Sequence, residues 1–493
     1  MKIAISYPPI ISSKGIPLLS QNRQFQYFNN PTFIYPMIPA YAATMLKENG
    51  YTVKWLDGIA ERWSYGIFIE KLAQTKSDLL VIESKTPTIK TYWKIIDDIK
   101  SHFPKLKIVL VGDHVSALPM ESFENCQVDY ILTGGDYDFL LLNLVKYLDR
   151  KTKFLEPGIY FRKKGKVENS GKFKLDHDIT KLPIIDRILT KWELYAYYNG
   201  NFKHTPGTYT MIGRDCWWRR ASDAGGFGCT FCSWTSIYPK WRVGTPERLL
   251  EEIGKCIKLG VREVFDDTGT FPIGPWLKKF CDGMIEKGYN KKIKFGCNMR
   301  AKGLSEEEYK LMGKAGFRFI LYGLESASQK TLDRINKGIT PEELVNAVKI
   351  AKKGGLEPHV TCMVGYPWES KKQAEKTVDR TKELFDKGYI DTLQATVVIP
   401  YPGTALFAEC DKKSWLKTKD WDRYDMREPI MKSPIPDKEL LGLTQKIYTS
   451  FLTPKYLFRK LASFRSIDDV NYYVVRGSRY LWGHLKDFAK LRI

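Results

Sequence analysis

The sequence predicts an α/β protein made of two successive parallel sheets and a helical C-terminal extension, and three observations lead there. Residues 1–148 alternate short apolar runs with amphipathic segments, residues 207–405 do so again after an irregular stretch at 149–206, and residues 406–493 carry helical spacing alone. Strict alternation of strand and helix implies parallel strands joined by helical crossovers, so the first region reads as a doubly wound sheet. The second holds six βα units, too few to close an eight-stranded barrel.

In the first region KIAIS, TVKWLD, LLVIES, KIVLVGD and VDYILTGG are the expected strands, with helices over 39–49, 65–74, 88–102 and 136–148. A doubly wound sheet binds its ligand beyond the carboxyl ends of the strands. The loops there offer Pro9, Asp57, Ser84, Lys85, Thr86, Gly112, Asp113, His114, Gly134, Gly135 and Asp136. Glycines let backbone approach a ligand, and Ser, Thr and Asp supply hydrogen bonds. No G-x-G-x-x-G follows the first strand, which counts against a nicotinamide cofactor. In the linker at 149–206, GIYFRKKGKVENSG suits a β-ribbon turning at Lys164-Gly165, and the aromatic run 192–198 is expected to lie across the next domain.

In the second region residues 209–213, VREVFDD, KIKFGCNMR, FRFILYGLE, EPHVTCMVG and DTLQATVVIP read as strands. Helices are expected over 246–259, 274–288, 305–315, 341–354 and 371–388, with Thr245-Pro246, Ser305-x-x-Glu308 and Thr340-Pro341 as start signals.

The richest stretch is MIGRDCWWRRASDAGGFGCTFCSWT, with Cys216, Cys229 and Cys232. A C-x-x-C pair with a third thiol suits a metal ion, or three corners of an iron-sulfur cube with one iron left open. Zinc wants a fourth ligand, and a redox dithiol would leave Cys216 over; from spacing alone the cluster, zinc, the dithiol and plain buried thiols all stay open. Cys126, Cys256, Cys281, Cys297, Cys362 and Cys410 are unpaired in spacing and are read as buried thiols.

CTFCSW, with an aromatic before the last cysteine, resembles the signature of radical S-adenosylmethionine (radical SAM) enzymes, commonly C-x3-C-x2-C. This chain departs from it, since twelve residues separate Cys216 from Cys229, and the polar, glycine-rich RRASDAGGFG reads as a loop extension. The resemblance implies a partial (β/α)6 TIM-like barrel, a [4Fe-4S] cluster on Cys216, Cys229 and Cys232, and reductive cleavage of S-adenosylmethionine to a 5′-deoxyadenosyl radical. It also implies S-adenosylmethionine contacts from Phe231, Asp267, Thr268, Arg300, Glu325, Ser326 and Pro400, most of them at strand ends, with Arg300 placed to neutralise a carboxylate. The loops VGDHVSALP and VDYILTGGDYD resemble the Rossmann-like cobalamin-binding domain that precedes the barrel in one branch of these enzymes. D-x-H-x-x-G is absent, so His114 is expected to be a contact or structural residue and not a cobalt ligand.

Composition sets the outer bounds. A chain of 493 residues predicts two or three domains, and 43% hydrophobic with 27% charged residues is globular. No run approaches the twenty apolar residues of a membrane span, and MKIAISYPPI looks like a first strand and not a signal, so a cytoplasmic monomer is expected. The net charge of +22 is dispersed; it permits nucleic acid, but no binding motif supports that partner. In the C-terminal region 439–452, 454–464 and 468–491 read as amphipathic helices, either a soluble cap or a face on which Tyr456, Phe458, Arg459, Lys460, Phe464 and Arg465 meet anionic headgroups.

The resulting expectation is a cobalamin-dependent radical SAM methyltransferase acting on a small, hydrophobic substrate with an external electron donor. The alternatives are a radical SAM cyclase or oxidase on a lipid or tetrapyrrole-like molecule, and a basic nucleic-acid-binding protein with a structural metal.

Overall fold

The structure is a computed structural model that describes residues 1–18, 26–218, 228–238 and 240–478. The first sheet contains β1 (Lys2–Tyr7), β2 (Thr52–Asp57), β3 (Leu79–Glu83), β4 (Lys107–Val111), β5 (Tyr130–Leu132), β6 (Ile159–Lys163) and β7 (Lys166–Asn169), in the order β2-β1-β3-β4-β5-β6-β7. Its first five strands are parallel and its last two antiparallel. The ribbon that the sequence assigns to the linker therefore extends this sheet. β3, LLVIE, is buried at every residue, as a strand covered by helices on both faces must be. Those helices are α1 (Met37–Glu48), α2 (Tyr65–Thr75), α3 (Ile89–His102) and α4 (Tyr137–Leu148).

The second sheet is a curled half-barrel of six parallel strands in sequence order: β8 (Gly207–Thr210), β9 (Glu263–Asp266), β10 (Lys294–Met299), β11 (Phe317–Glu325), β12 (Glu357–Val364) and β13 (Thr392–Val397). β8 and β13 end the order without pairing, so the barrel is open. After the short α5 (Trp234–Ile237) its crossovers are α6 (Pro246–Lys258), α7 (Pro275–Glu286), α8 (Glu306–Lys314), α9 (Gln329–Arg334), α10 (Pro341–Lys353) and α11 (Lys371–Lys387). The start signals act as their chemistry requires: Thr245 accepts from the Arg248 amide, and Ser305/Glu308 and Thr340/Glu343 close full capping boxes.

The two sheets meet at their strand C-termini. The Gly135 amide donates to Ile237 O (2.9 Å) and the Tyr238 hydroxyl to Gly135 O (3.0 Å), while Gly403 packs on Ala117. The linker aromatics Trp192 and Tyr195 are buried, and Tyr195 donates to Asp57 (2.6 Å), tying linker to first sheet.

α12 (Asp437–Tyr448) covers β13 and α11, and α13 (Pro454–Ala462) follows. Of the six residues named for a headgroup face, three have partners within the protein. Tyr456 donates to Asp391 O (2.7 Å), Arg459 to Asp386 O (3.0 Å), and Lys460 pairs with Asp391 (2.7 Å), so three of its six residues point inward. Their cations satisfy carbonyls and a buried carboxylate; Phe458 and Arg465 remain exposed. The helix expected over 468–491 is described only to 478, and no described helix is long and apolar enough to cross a membrane.

Candidate active site

The cysteine segment leaves the barrel after β8 and is pinched at its base by a two-residue antiparallel pair, Gly213↔Val243 and Arg214↔Arg242. Both arginines at this neck reach into the first domain. Arg214, buried, bonds Asp136 (2.8 Å) and both oxygens of Asp138, and Arg242 bonds Asp136 at 2.6 and 2.8 Å. His177 joins Asp136 (3.1 Å) to Glu156 (2.7 Å). Burial pushes the Asp136 carboxyl up, but Arg214, His177 and Arg242 together hold it well below the usual carboxylate range. Burial lowers His177, yet the two carboxylates carry it to about 9. The neck of the cysteine segment is thus bolted to the first domain by ion pairs that neither half could bury alone.

Cys216, Cys229 and Cys232 line one cavity of about 180 Å³ at the barrel mouth. Cys232 closes a turn on Cys229 O (3.2 Å), and the Cys216 thiol is 2.8 Å from the Thr270 hydroxyl. Burial pushes the Cys229 thiol up, opposed by Lys337 and Arg300 and reinforced by Cys216 and Glu325. A thiol so buried is deprotonated more readily where a metal binds the thiolate or nearby cations stabilise it, and the cations Lys337 and Arg300 are present. Among the described residues, no three Cys, His, Asp or Glu gather closely enough to hold a single metal ion.

The cavity also takes in Phe231, Arg300 and Glu325. Arg300 lies 4.4 Å from the Trp218 ring and 5.6 Å from Trp217, donates to Lys337 O, and its buried Nε has no partner among the described residues. An orphaned guanidinium nitrogen at a cavity wall is what a ligand carboxylate would satisfy. Glu325 ends β11 with φ +63° and accepts from Lys337 Nζ at 2.7 Å. The other four expected S-adenosylmethionine contacts do not line the cavity. Asp267 accepts from Asn298 (3.2 Å), Thr268 from the Gly213 amide (2.8 Å), Ser326 donates to Glu369 (2.7 Å), and Pro400 is buried between the lining residues Ile399 and Tyr401.

At the edge of the first sheet most of the predicted ligand groups already have protein partners. Asp57 accepts from the Ile59 and Ala60 amides and Tyr195, and burial takes it to about 6 against those bonds. His114 is fully buried, with Thr86 at 3.2 Å and Glu121 at 3.1 Å on its two nitrogens and Trp421 against its ring. Ser84 donates to Val111 O (3.3 Å), Lys85 faces Asp113 at 3.6 Å, and Pro9 packs on Gly58. A side chain at Gly112 (φ +123°) would meet Ser84 O at 2.2 Å, one at Gly134 the Phe173 ring, and one at Gly135 the Tyr238 ring at 1.9 Å. These close approaches join segments of the protein, and His114 has no free nitrogen for a metal.

Lys337, Trp218, Thr270 and Asp215 line or shape the cavity without being foreseen. Lys337 sits in the turn between α9 and α10, where no periodicity or motif marks it. Trp218 adjoins a foreseen cysteine and could have been suspected from that alone.

An open six-stranded parallel barrel thus carries three thiols at its mouth and, among the described residues, an arginine nitrogen without a partner. Residues 222–381 match the model of the Radical SAM superfamily. The chain is 28% identical over 435 residues to an uncharacterized methyltransferase of Pyrococcus horikoshii, covering 86% of this chain and 90% of that one. It is 25% identical to the anaerobic magnesium-protoporphyrin IX monomethyl ester cyclase of Cereibacter sphaeroides, covering 92% and 71%. The fold is similar to that of the cobalamin-dependent S-adenosylmethionine radical enzyme OxsB, with TM-score 0.69 and 16% identity over 98% of this chain and 72% of that one.

Proposed function

We propose that this chain is a cobalamin-dependent radical SAM methyltransferase acting on a small, uncharged, largely apolar molecule. The observation that carries it is the convergence of Cys216, Cys229 and Cys232 on one cavity with Arg300, whose Nε has no partner among the described residues. The three thiolates would hold a [4Fe-4S] cluster, and Arg300 the carboxylate of S-adenosylmethionine. When bound, the cluster and S-adenosylmethionine supply a carbon-centred radical, chemistry that no acid or base in the chain provides. Cobalamin would lie at the carboxyl edge of the first sheet, which faces the barrel mouth across the Gly135–Tyr238 contact. Support for it is the two facing edges and the fold shared with OxsB.

The substrate class follows from the lining. Among the described residues the charged lining residues are Asp215, next to Cys216, and Arg300, Glu325 and Lys337, grouped around Cys229. The rest of the described wall is neutral: Leu321, Met363, Tyr401 and Met426 are apolar or aromatic, while Thr361 and Gln394, paired in register on β12 and β13, present a hydroxyl and an amide. Such a wall favours a neutral molecule with one hydrogen-bonding group and rejects ions, whose desolvation it would not repay.

The test is anaerobic reconstitution. Wild-type chain should hold about four irons and, with S-adenosylmethionine and a reductant, form 5′-deoxyadenosine; Cys229→Ala and Cys232→Ala should do neither. Gel-filtered protein incubated with hydroxocobalamin should retain its absorbance. S-adenosylhomocysteine formed in step with product marks methyl transfer, whereas product without it would point to the cyclase type of chemistry. Iron retained in both cysteine variants would sink the ligand assignment.

A further inference from the structure

The twelve residues between Cys216 and Cys229 begin at Trp217 and end at Gly228, and residues 219–227 lie outside the described part. Both described ends of this segment bond to Asn336, within the run Ile335–Gly338. Trp218 Nε1 donates to Asn336 O (2.9 Å), Asn336 Nδ2 donates to Gly228 O (3.3 Å), and the Thr230 amide donates to Ile335 O (3.0 Å). Gly338, with φ +64°, receives the Trp218 ring so closely that a Cβ there would lie 2.1 Å from it. Arg300 stacks on that ring at 4.4 Å and donates to Lys337 O.

We propose that Ile335–Gly338 is a clasp that brings Cys216 back to Cys229 and Cys232, with Asn336 and Gly338 as its positioning residues. The proposal deepens the cluster reading above and rests on it for its consequence in catalysis, though not for the proximity of the thiols. Closing a long segment costs conformational entropy, and a clasp fastened at both ends meets that cost before any metal arrives. Asn336 has φ +53°, a conformation that asparagine and glycine tolerate and alanine resists. Its backbone oxygen holds the first end and its side-chain amide the second, so one residue spans the gap. Lys337, between the two positioning residues, is thereby delivered beside Cys229. The same turn closes the loop and supplies the cation.

The test uses the full chain with Asn336→Ala, Asn336→Gly and Gly338→Ala. Two quantities are read: bridging of Cys216 to Cys229 by a short bis-maleimide in iron-free protein, found by peptide mass spectrometry, and iron per chain with the electron paramagnetic resonance of the reduced cluster. Asn336→Ala and Gly338→Ala should lower bridging about fivefold, the scale of one lost hydrogen bond, and lower iron in step. Asn336→Gly, which keeps the backbone conformation and the bond from Trp218, should fall between them and wild type, a graded recovery that general loosening of the fold would not give. Bridging and iron at wild-type levels in both alanine variants overturn the clasp. A wild-type chain that bridges its thiols but takes up no iron, with bridging lost in the alanine variants, overturns the cluster reading and leaves the clasp standing.

Discussion

Lys337 Nζ lies 2.7 Å from Glu325 Oε1 inside the cavity that the three thiols line, and both side chains are about nine-tenths buried. One comes from the turn after α9 and the other from the end of β11, so the pair ties the β11–β12 crossover back to the strand end it leaves. It also places a fixed positive charge beside Cys229.

Replacing Lys337 by Met leaves the Glu325 carboxylate buried without its partner. Such a change costs about 3–5 kcal/mol, most of it recovered when both charges are removed. Urea unfolding of Lys337→Met, Glu325→Gln and the double variant should show that non-additivity. In loaded protein the loss of a nearby cation should also make the cluster potential more negative, read by redox titration.

Glu369 accepts from Ser326 and Thr331, and burial nevertheless raises it from 4.5 to about 7. The fold therefore binds a proton that the unfolded chain has released between those values. Stability from this group is complete below pH 4.5 and lost as pH rises through 7, an effect of about 3 kcal/mol. Glu369→Gln, always neutral, should gain on wild type by that order between pH 5 and 8 in denaturation at a series of pH values.

His177 works in the same direction at higher pH. Its value, raised to about 9 by Asp136 and Glu156 against burial, means that its contribution is full below 6.5 and fades as pH climbs through 9. Limited proteolysis at the neck of the cysteine segment should accelerate over that window in wild type. His177→Gln should be cut faster at pH 6 and show little further change.

Gly135 has no room for a methyl group, since its Cβ would sit 1.9 Å from the Tyr238 ring. Gly135→Ala should loosen the contact between the two sheets and cost about 1–3 kcal/mol, the usual penalty of overpacking. Gly135→Ala combined with Tyr238→Leu should recover part of it in thermal unfolding.

Much of the architecture was legible because it is local. The five parallel strands of the first sheet, the six of the barrel and the capped helices between them follow from runs such as LLVIE and from Ser305-x-x-Glu308, which act within a few residues. The cysteine trio was legible as well, as three thiols in seventeen residues. Ser326 looked like a ligand-facing hydroxyl because a strand end is all that spacing reveals; its bond to Glu369, forty-three residues on, is not written in either neighbourhood. Asp136 and Gly135 looked like ligand contacts for the same reason, and in the fold they meet Arg214 and Tyr238 of the barrel.

From residue order alone came the succession of two parallel sheets, the grouping of three thiols in one short stretch and the absence of a cobalt-directed imidazole motif. Only folding in three dimensions decided that Arg300 keeps a nitrogen without a partner among the described residues, that Lys337 faces Cys229, and that the loop around Asn336 bonds to both described ends of the segment between the cysteines. The reason is range. Periodicity and capping are set by neighbours in the chain, whereas charge pairing and loop closure depend on which distant residues burial forces into contact.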